Sequence, residues 1–196
     1  MAFDNGMLSE YQIPNAIALF NEEYYEKPYD DEDVIFEENL IVEIKSISVK
    51  NKREIFYIGK GAARQKDVNL TAYNNQKADE DPTYLLLFGL AAYHAALRNT
   101  DEQSVNYYVD QLAISLPTTQ YKERKKILKE RLIGTHTVIF HKVPGFPDPK
   151  EFEVKLHIQD VIIGAEGACA YLGLTRDLET LGIKMKIWSK SRIKES

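Results

Sequence analysis

The chain has 196 residues, 44% of them apolar, enough to fill the core of one ordinary domain. A formal net charge of −5 and a pI near 5.5 exclude a general binder of nucleic acid or of acidic membrane surfaces, because an acidic surface attracts neither polyanion. Cys169 is the only cysteine, so no internal disulfide can form, and a reduced, packed thiol in a cytoplasmic protein is expected. The opening MAFDNGMLSE has no basic region followed by an apolar core, and no apolar run approaches the ~18 residues a membrane helix needs.

Taken in chain order, Asp4 to Gly6 reads as a simple turn, because Pro14 follows too soon for a complete hairpin. YQIPNAIALF then predicts a strand over 11–19, with Pro14 at its start or on an edge. EEYYEKPYDDEDVIFEEN carries nine acidic residues and one lysine, which reads as a solvated loop, with a partner-docking loop as the alternative. LIVEIKSISVKN and REIFYIGKG are β-branched and aromatic with partial alternation, and predict an antiparallel pair over 40–60. GKGAA at 59–63 lacks the spacing and the Lys-Ser/Thr ending of a phosphate loop, so its glycines read as a turn out of a strand.

The period then changes. Asp81 followed by Pro82 predicts a helix start, and 82–98 is apolar on nearly every side, the mark of a buried helix. Gly89, Ala92 and Ala96 form a small-residue face for close packing. VNYYVDQLAISLP is a strand over 105–116 ending at Pro117. QYKERKKILKERLIG predicts a helix over 119–133 with Tyr121, Leu128 and Leu132 on one face and Gly134 as its cap. Lys122, Arg124, Lys125, Lys126, Lys129 and Arg131 occupy the other side, but Glu123 and Glu130 interrupt them, so a solvated face is favoured over a nucleic-acid site. THTVIFHKV and EFEVKLHIQDVIIG predict strands within 134–163, separated by the turn-rich PGFPDPK. A helix from Ala165 to Leu174 and a strand-like MKIW follow. The order implies an α/β fold, a mixed β-sheet with packed helices.

Motifs of chemistry are few. His136 and His141, five apart on a strand, point to opposite faces, so His94, His136, His141 and His157 give no metal site. No serine or Cys169 has an evident triad partner, and no metal or cofactor residue is assigned. One carboxylate stands out. Glu166 closes an apolar strand among glycine and alanine, and by itself it reads as a helix-start carboxylate favoured by the helix dipole.

YQIPNAIA near the start, FYIGKGAA at 56–63, LAISLPTTQY and VIIGAEGACAYLGL, in this order across roughly residues 10–175, together resemble the first half of an actin-like ATPase of the plasmid-segregation (ParM-like) and archaeal actin type. The resemblance implies an actin-like, ribonuclease H-like N-terminal domain over 1–183 followed by a basic tail over 184–196. It gives Glu166 a role in orienting the water that attacks a γ-phosphate, a step that needs positioning more than covalent help. A complete family member uses ATP and magnesium and self-associates as filament subunits. Two departures matter: only Asp4 to Gly6 stands where the family has its Gly-rich phosphate hairpin, and the second phosphate loop would come after the last residue. The expectation is an isolated N-terminal half that does not hydrolyse ATP by itself; the alternative is a non-enzymatic cytoplasmic protein-binding module on the same scaffold.

Overall fold

The computed structural model describes residues 2–4, 7–9, 13–24, 40–50, 54–70, 79–98, 104–141 and 151–166. Its strands are β1 (Ala2–Asp4), β2 (Met7–Ser9), β3 (Ala16–Leu19), β4 (Leu40–Lys45), β5 (Ile55–Ile58), β6 (Asn69–Leu70), β7 (Ser104–Leu116), β8 (Gly134–His141) and β9 (Phe152–Ala165). Its helices are α1 (Lys60–Ala63), α2 (Asp81–Ala96) and α3 (Thr118–Leu132). Seven strands form one sheet in the order β6-β3-β5-β4-β8-β9-β7. Every neighbouring pair in it is antiparallel except β7 and β9, which run parallel from Ser104 opposite Glu153 to Leu116 opposite Ala165. This is the mixed sheet with packed helices that the order of elements predicts.

Both long helices cover one face. α2 is apolar all round and buries Tyr84, Leu85, Phe88, Ala92, Ala95 and Ala96, while the amphipathic α3 buries only Leu128 and Leu132. They pack on Leu40, Val42, Ile44, Ile58, Val138, Phe140, Val154, Leu156 and Ile158, alternate residues that the pleat directs to the same side. Full burial of each large aliphatic contributes about 1.5–3 kcal/mol, so this layer dominates the stability. On the opposite face a smaller cluster joins Ala16, Ala18, Ile41 and Tyr57 to Ala62 of α1.

Two glycines have geometric reasons. A Cβ on Gly89 would lie 2.3 Å from Cδ1 of Ile58, so the small-residue face of α2 is what lets it touch β5. Gly59 ends β5 at φ 68°, and a Cβ there would meet Cγ2 of Ile13 at 2.1 Å, confirming the turn out of the strand.

Several expectations are corrected. β1 and β2 pair through three residues each, with Asp4 opposite Met7, so a short hairpin does close before Pro14, as a two-stranded sheet of its own. Three residues per strand satisfy a minimal antiparallel ladder, and Pro14 lies beyond it. The first main-sheet strand is Ala16–Leu19, shorter than expected from 11–19. α2 starts one residue earlier than the Asp81-Pro82 pattern implies, with Glu80 at the cap and no side-chain cap bond, because the Asp81 carboxylate serves the Lys50 amide instead (2.9 Å). Ile133 is the last cap of α3, and Gly134 follows it at φ 130° as the first residue of β8. Most of the acidic loop, the continuation of the helix past Glu166, MKIW, the 184–196 tail and Cys169 lie outside the described residues.

The parallel pair carries one irregularity. In β7 the residues packed toward the helices are Val105, Tyr107 and Val109, then Leu112, Ile114 and Leu116; in β9 they are Val154, Leu156 and Ile158, then Val161 and Ile163. Both strands therefore shift their inward side by one residue at the same level, at Asp110–Gln111 and at Gln159–Asp160, while the register between them is unchanged.

Candidate functional site

Glu166 lies immediately beyond Ala165, the last residue of β9, and Ala165 pairs with Leu116, the last residue of β7. Because the two strands are parallel, their carboxyl ends meet at one end of the sheet. α3 begins there too, after Pro117. Open α/β sheets place ligands outside the carboxyl ends of their parallel strands, and Glu166, partly buried, lies at that end of this sheet. A half-covered carboxylate at a strand end can orient a water or accept a hydrogen bond; alone it cannot cradle phosphates.

Further down the same strands, Lys129 of α3 donates to Asp160 Oδ1 at 2.6 Å. That hydrogen bond, with others from the Val161 amide and Gln111, holds the Asp160 carboxyl below its ordinary range. The contact fixes α3 to β9 where both parallel strands slip.

A second polar cluster fastens the turn after β4. His136 is 1% exposed and stacks on Phe88 with ring centroids 4.0 Å apart. Its Nε2 is 2.9 Å from the Leu132 carbonyl and so carries the proton, which leaves Nδ1 to accept from the Ser46 hydroxyl at 2.7 Å. Ser46 Oγ accepts in turn from the Ser48 amide at 3.0 Å. Burial pushes the His136 pKa down, with the Leu132 hydrogen bond pulling the other way. Ser48 and Arg131 bond reciprocally through side chain and carbonyl, and the Arg131 guanidinium lies 4.0 Å over the Tyr84 ring. Burial drives the Tyr84 phenol up to about 12 against the opposing pull of Arg131. These groups bond to one another inside the fold.

The four histidines are dispersed. His136 faces the helices, and His141, on the other face, sits between Glu43 (3.5 Å) and Glu151 (3.4 Å). His157 stacks on Tyr108 and contacts Thr135 and Asn106 on the open side of the sheet, and His94 is buried edge-on to Tyr107. Among the described residues no group of His, Cys, Asp or Glu could hold a metal ion, and no helix is long and apolar enough to cross a membrane. The sequence singled out Glu166, and the structure places it just past the end of β9, next to the carboxyl end of β7 and the start of α3. It gave no hint of the Ser46–His136 and Lys129–Asp160 contacts, whose partners are far apart in the chain.

Comparison with known proteins bears on the fold and the family. A family model for the N-terminal domain of actin-like proteins matches residues 18–168. No curated protein matches the chain. Among solved structures, ParM of Bacillus thuringiensis in its apo form is 22% identical at a TM-score of 0.60, over 84% of this chain and 42% of that one. The actin-like protein Alp7A is 18% identical at 0.64, over 93% and 45%. Bacillus thuringiensis ParM with ATP is 24% identical at 0.53, over 90% and 44%. The chain thus spans less than half the length of each of these structures, and at such identities the likeness shows the fold alone. With the family model matching most of its length, the chain belongs to the actin-like proteins, of which it carries the N-terminal domain.

Proposed function

We propose that this domain forms one wall of the nucleotide cleft of an actin-like, filament-forming ATPase of the plasmid-segregation type, with Glu166 orienting the water that attacks the γ-phosphate. The observation that carries the reading is the position of Glu166 at the shared carboxyl end of β7 and β9, beside the start of α3. That a structural neighbour has been solved with ATP supports the choice of ligand. Phosphoryl transfer to water asks the protein for positioning and for stabilisation of negative charge, and a single well-held carboxylate supplies the first.

It does not supply the second. ATP needs backbone amides from Gly-rich loops and a metal ion, and the described residues contain no carboxylate or histidine set that would hold magnesium. In this chain only Asp4 to Gly6, between β1 and β2, stands where the family has its Gly-rich hairpin; the remaining groups would come from the complementary half of the cleft, and an unassisted Glu166 repels a triphosphate. The chain by itself therefore neither hydrolyses ATP nor binds it tightly. Calorimetric titration with ATP and magnesium should show no saturable binding below about 1 mM, and any turnover should persist in Glu166→Ala. Micromolar binding, or turnover lost in that variant alone, would mean that this chain already holds a working phosphate site.

A further inference from the structure

We propose that two copies of this chain pair end to end about a two-fold axis, the Ile47 turn of each seated on the acidic run 22–39 of the other. The proposal goes beyond the nucleotide reading and does not depend on it.

The turn after β4 holds one apolar side chain in the open. Ser46, Ser48 and Val49 are buried, while Ile47 between them is 83% exposed, the most of any large apolar residue described. The backbone around it is tied down. Ser46 Oγ joins His136 and the Ser48 amide, and Ser48 and Arg131 bond reciprocally. The Val49 amide donates to the Ser46 carbonyl, and the Lys50 amide to Asp81. A side chain displayed on a fixed backbone loses little freedom when a partner covers it, which is what makes a single anchor effective. Lys45, half exposed beside Glu43, and the exposed Lys50 flank it. The matching surface is therefore apolar and rimmed by carboxylates.

The chain carries that chemistry itself. In residues 22–39, nine acidic residues and one lysine enclose the apolar Val34-Ile35-Phe36. Glu22 and Glu23, which open the run, are exposed. β3 and β4 both pair antiparallel with β5 and so run in one direction. The run therefore leaves β3 at the same end of the sheet at which the turn leaves β4, about 10 Å away with β5 between them. An end that holds both halves of a contact is self-complementary. Turned about a two-fold axis, each copy's turn faces the other's run, so both contacts form together and association closes at two copies. Acidic lipids would also accept an isoleucine between lysines, but a net charge of −5 and an acidic run at the same end oppose a membrane.

Sedimentation of the chain without nucleotide should show its mass doubling as concentration rises and then levelling, with the dimer weakened at least about tenfold between about 50 mM and about 500 mM salt. Ile47→Ser leaves the buried part of the turn intact, which an unchanged urea midpoint checks, and should weaken the dimer at least about tenfold. Lys50→Glu should weaken it through charge alone. A synthetic peptide of residues 22–39 should bind the chain and split the dimer, and the same peptide with Val34, Ile35 and Phe36 replaced by serine should not. A monomer at every concentration would overturn the proposal, as would an Ile47→Ser chain that pairs like its parent, or binding of both peptides alike. Co-sedimentation with phosphatidylglycerol vesicles that requires Ile47 would assign the turn to a membrane instead. Growth beyond two copies would overturn the closed symmetry.

Discussion

Nδ1 of His136 lies 2.7 Å from Oγ of Ser46, ninety residues earlier in the chain, and this hydrogen bond closes the β4 turn over the end of α3. Burial favours the neutral imidazole, although the hydrogen bond from Nε2–H to Leu132 pulls the other way. In the folded chain the pKa is depressed; in the unfolded chain it returns to about 6.5. Below that pH the unfolded state binds a proton that the folded state refuses, so stability from this site is present above about 6.5 and is lost as pH falls toward the folded value. Urea titrations at pH 7.5 and 5.5 should show the loss, and His136→Gln should flatten it. Ser46→Ala should cost about 1–3 kcal/mol by leaving a buried acceptor unpaired.

The middle of α2 should tolerate little. Phe88 is fully buried and stacked on His136, and Phe88→Ala is expected to cost about 3–5 kcal/mol. Leu86 is 9% exposed, and Leu86→Ala should fall near the low end of the ~2–5 kcal/mol range for such truncations. Values below about 1 kcal/mol at both positions would make the helix peripheral.

Gly89 and Ile58 should be coupled. Gly89→Ala ought to gain about 1 kcal/mol of helix propensity, yet its Cβ would press on the Ile58 terminal methyl, so a net loss is expected. Ile58→Val removes that methyl, and the double variant should recover part of the loss, measurable as a non-additive cycle. Gly59→Ala has no such rescue, because its backbone conformation is strained for any other residue.

Lys129→Met should raise the titration midpoint of Asp160, followed by carboxyl-carbon NMR, toward the ordinary carboxylate value. The sign is that of a depressed acid: whatever this contact contributes is present above the usual carboxylate range and fades as pH falls through the lowered midpoint. An unchanged midpoint would assign the shift to the Val161 amide and Gln111 instead.

The elements were legible because local chemistry announces them. Continuous apolar residues from Tyr84 to Ala96 describe a buried helix, Pro117 ends β7, and Gly59 turns β5 outward. The shift shared by β7 and β9 was not, since one strand alone shows only a broken alternation at Asp110 and Gln111. Ser46 and Ser48 look like ordinary turn serines, and Lys129 and Arg131 are lost in a basic run until Asp160, Ser48 and Tyr84 are brought to them by the fold. Glu166 was legible as the carboxylate that follows an apolar strand, which is β9.

The parallel ladder also constrains how the chain folds. β7 and β9 are joined through α3 and β8, so their many contacts close a large loop, whereas β8 and β9 pair as neighbours in sequence. Loop closure costs entropy before the contacts repay it, which orders the events: the β8–β9 hairpin and α3 form early, and the zipping of β7 onto β9 comes late. The carboxyl end next to Glu166 is therefore expected to assemble after the β8–β9 hairpin, and until it does β9 lacks its β7 partner.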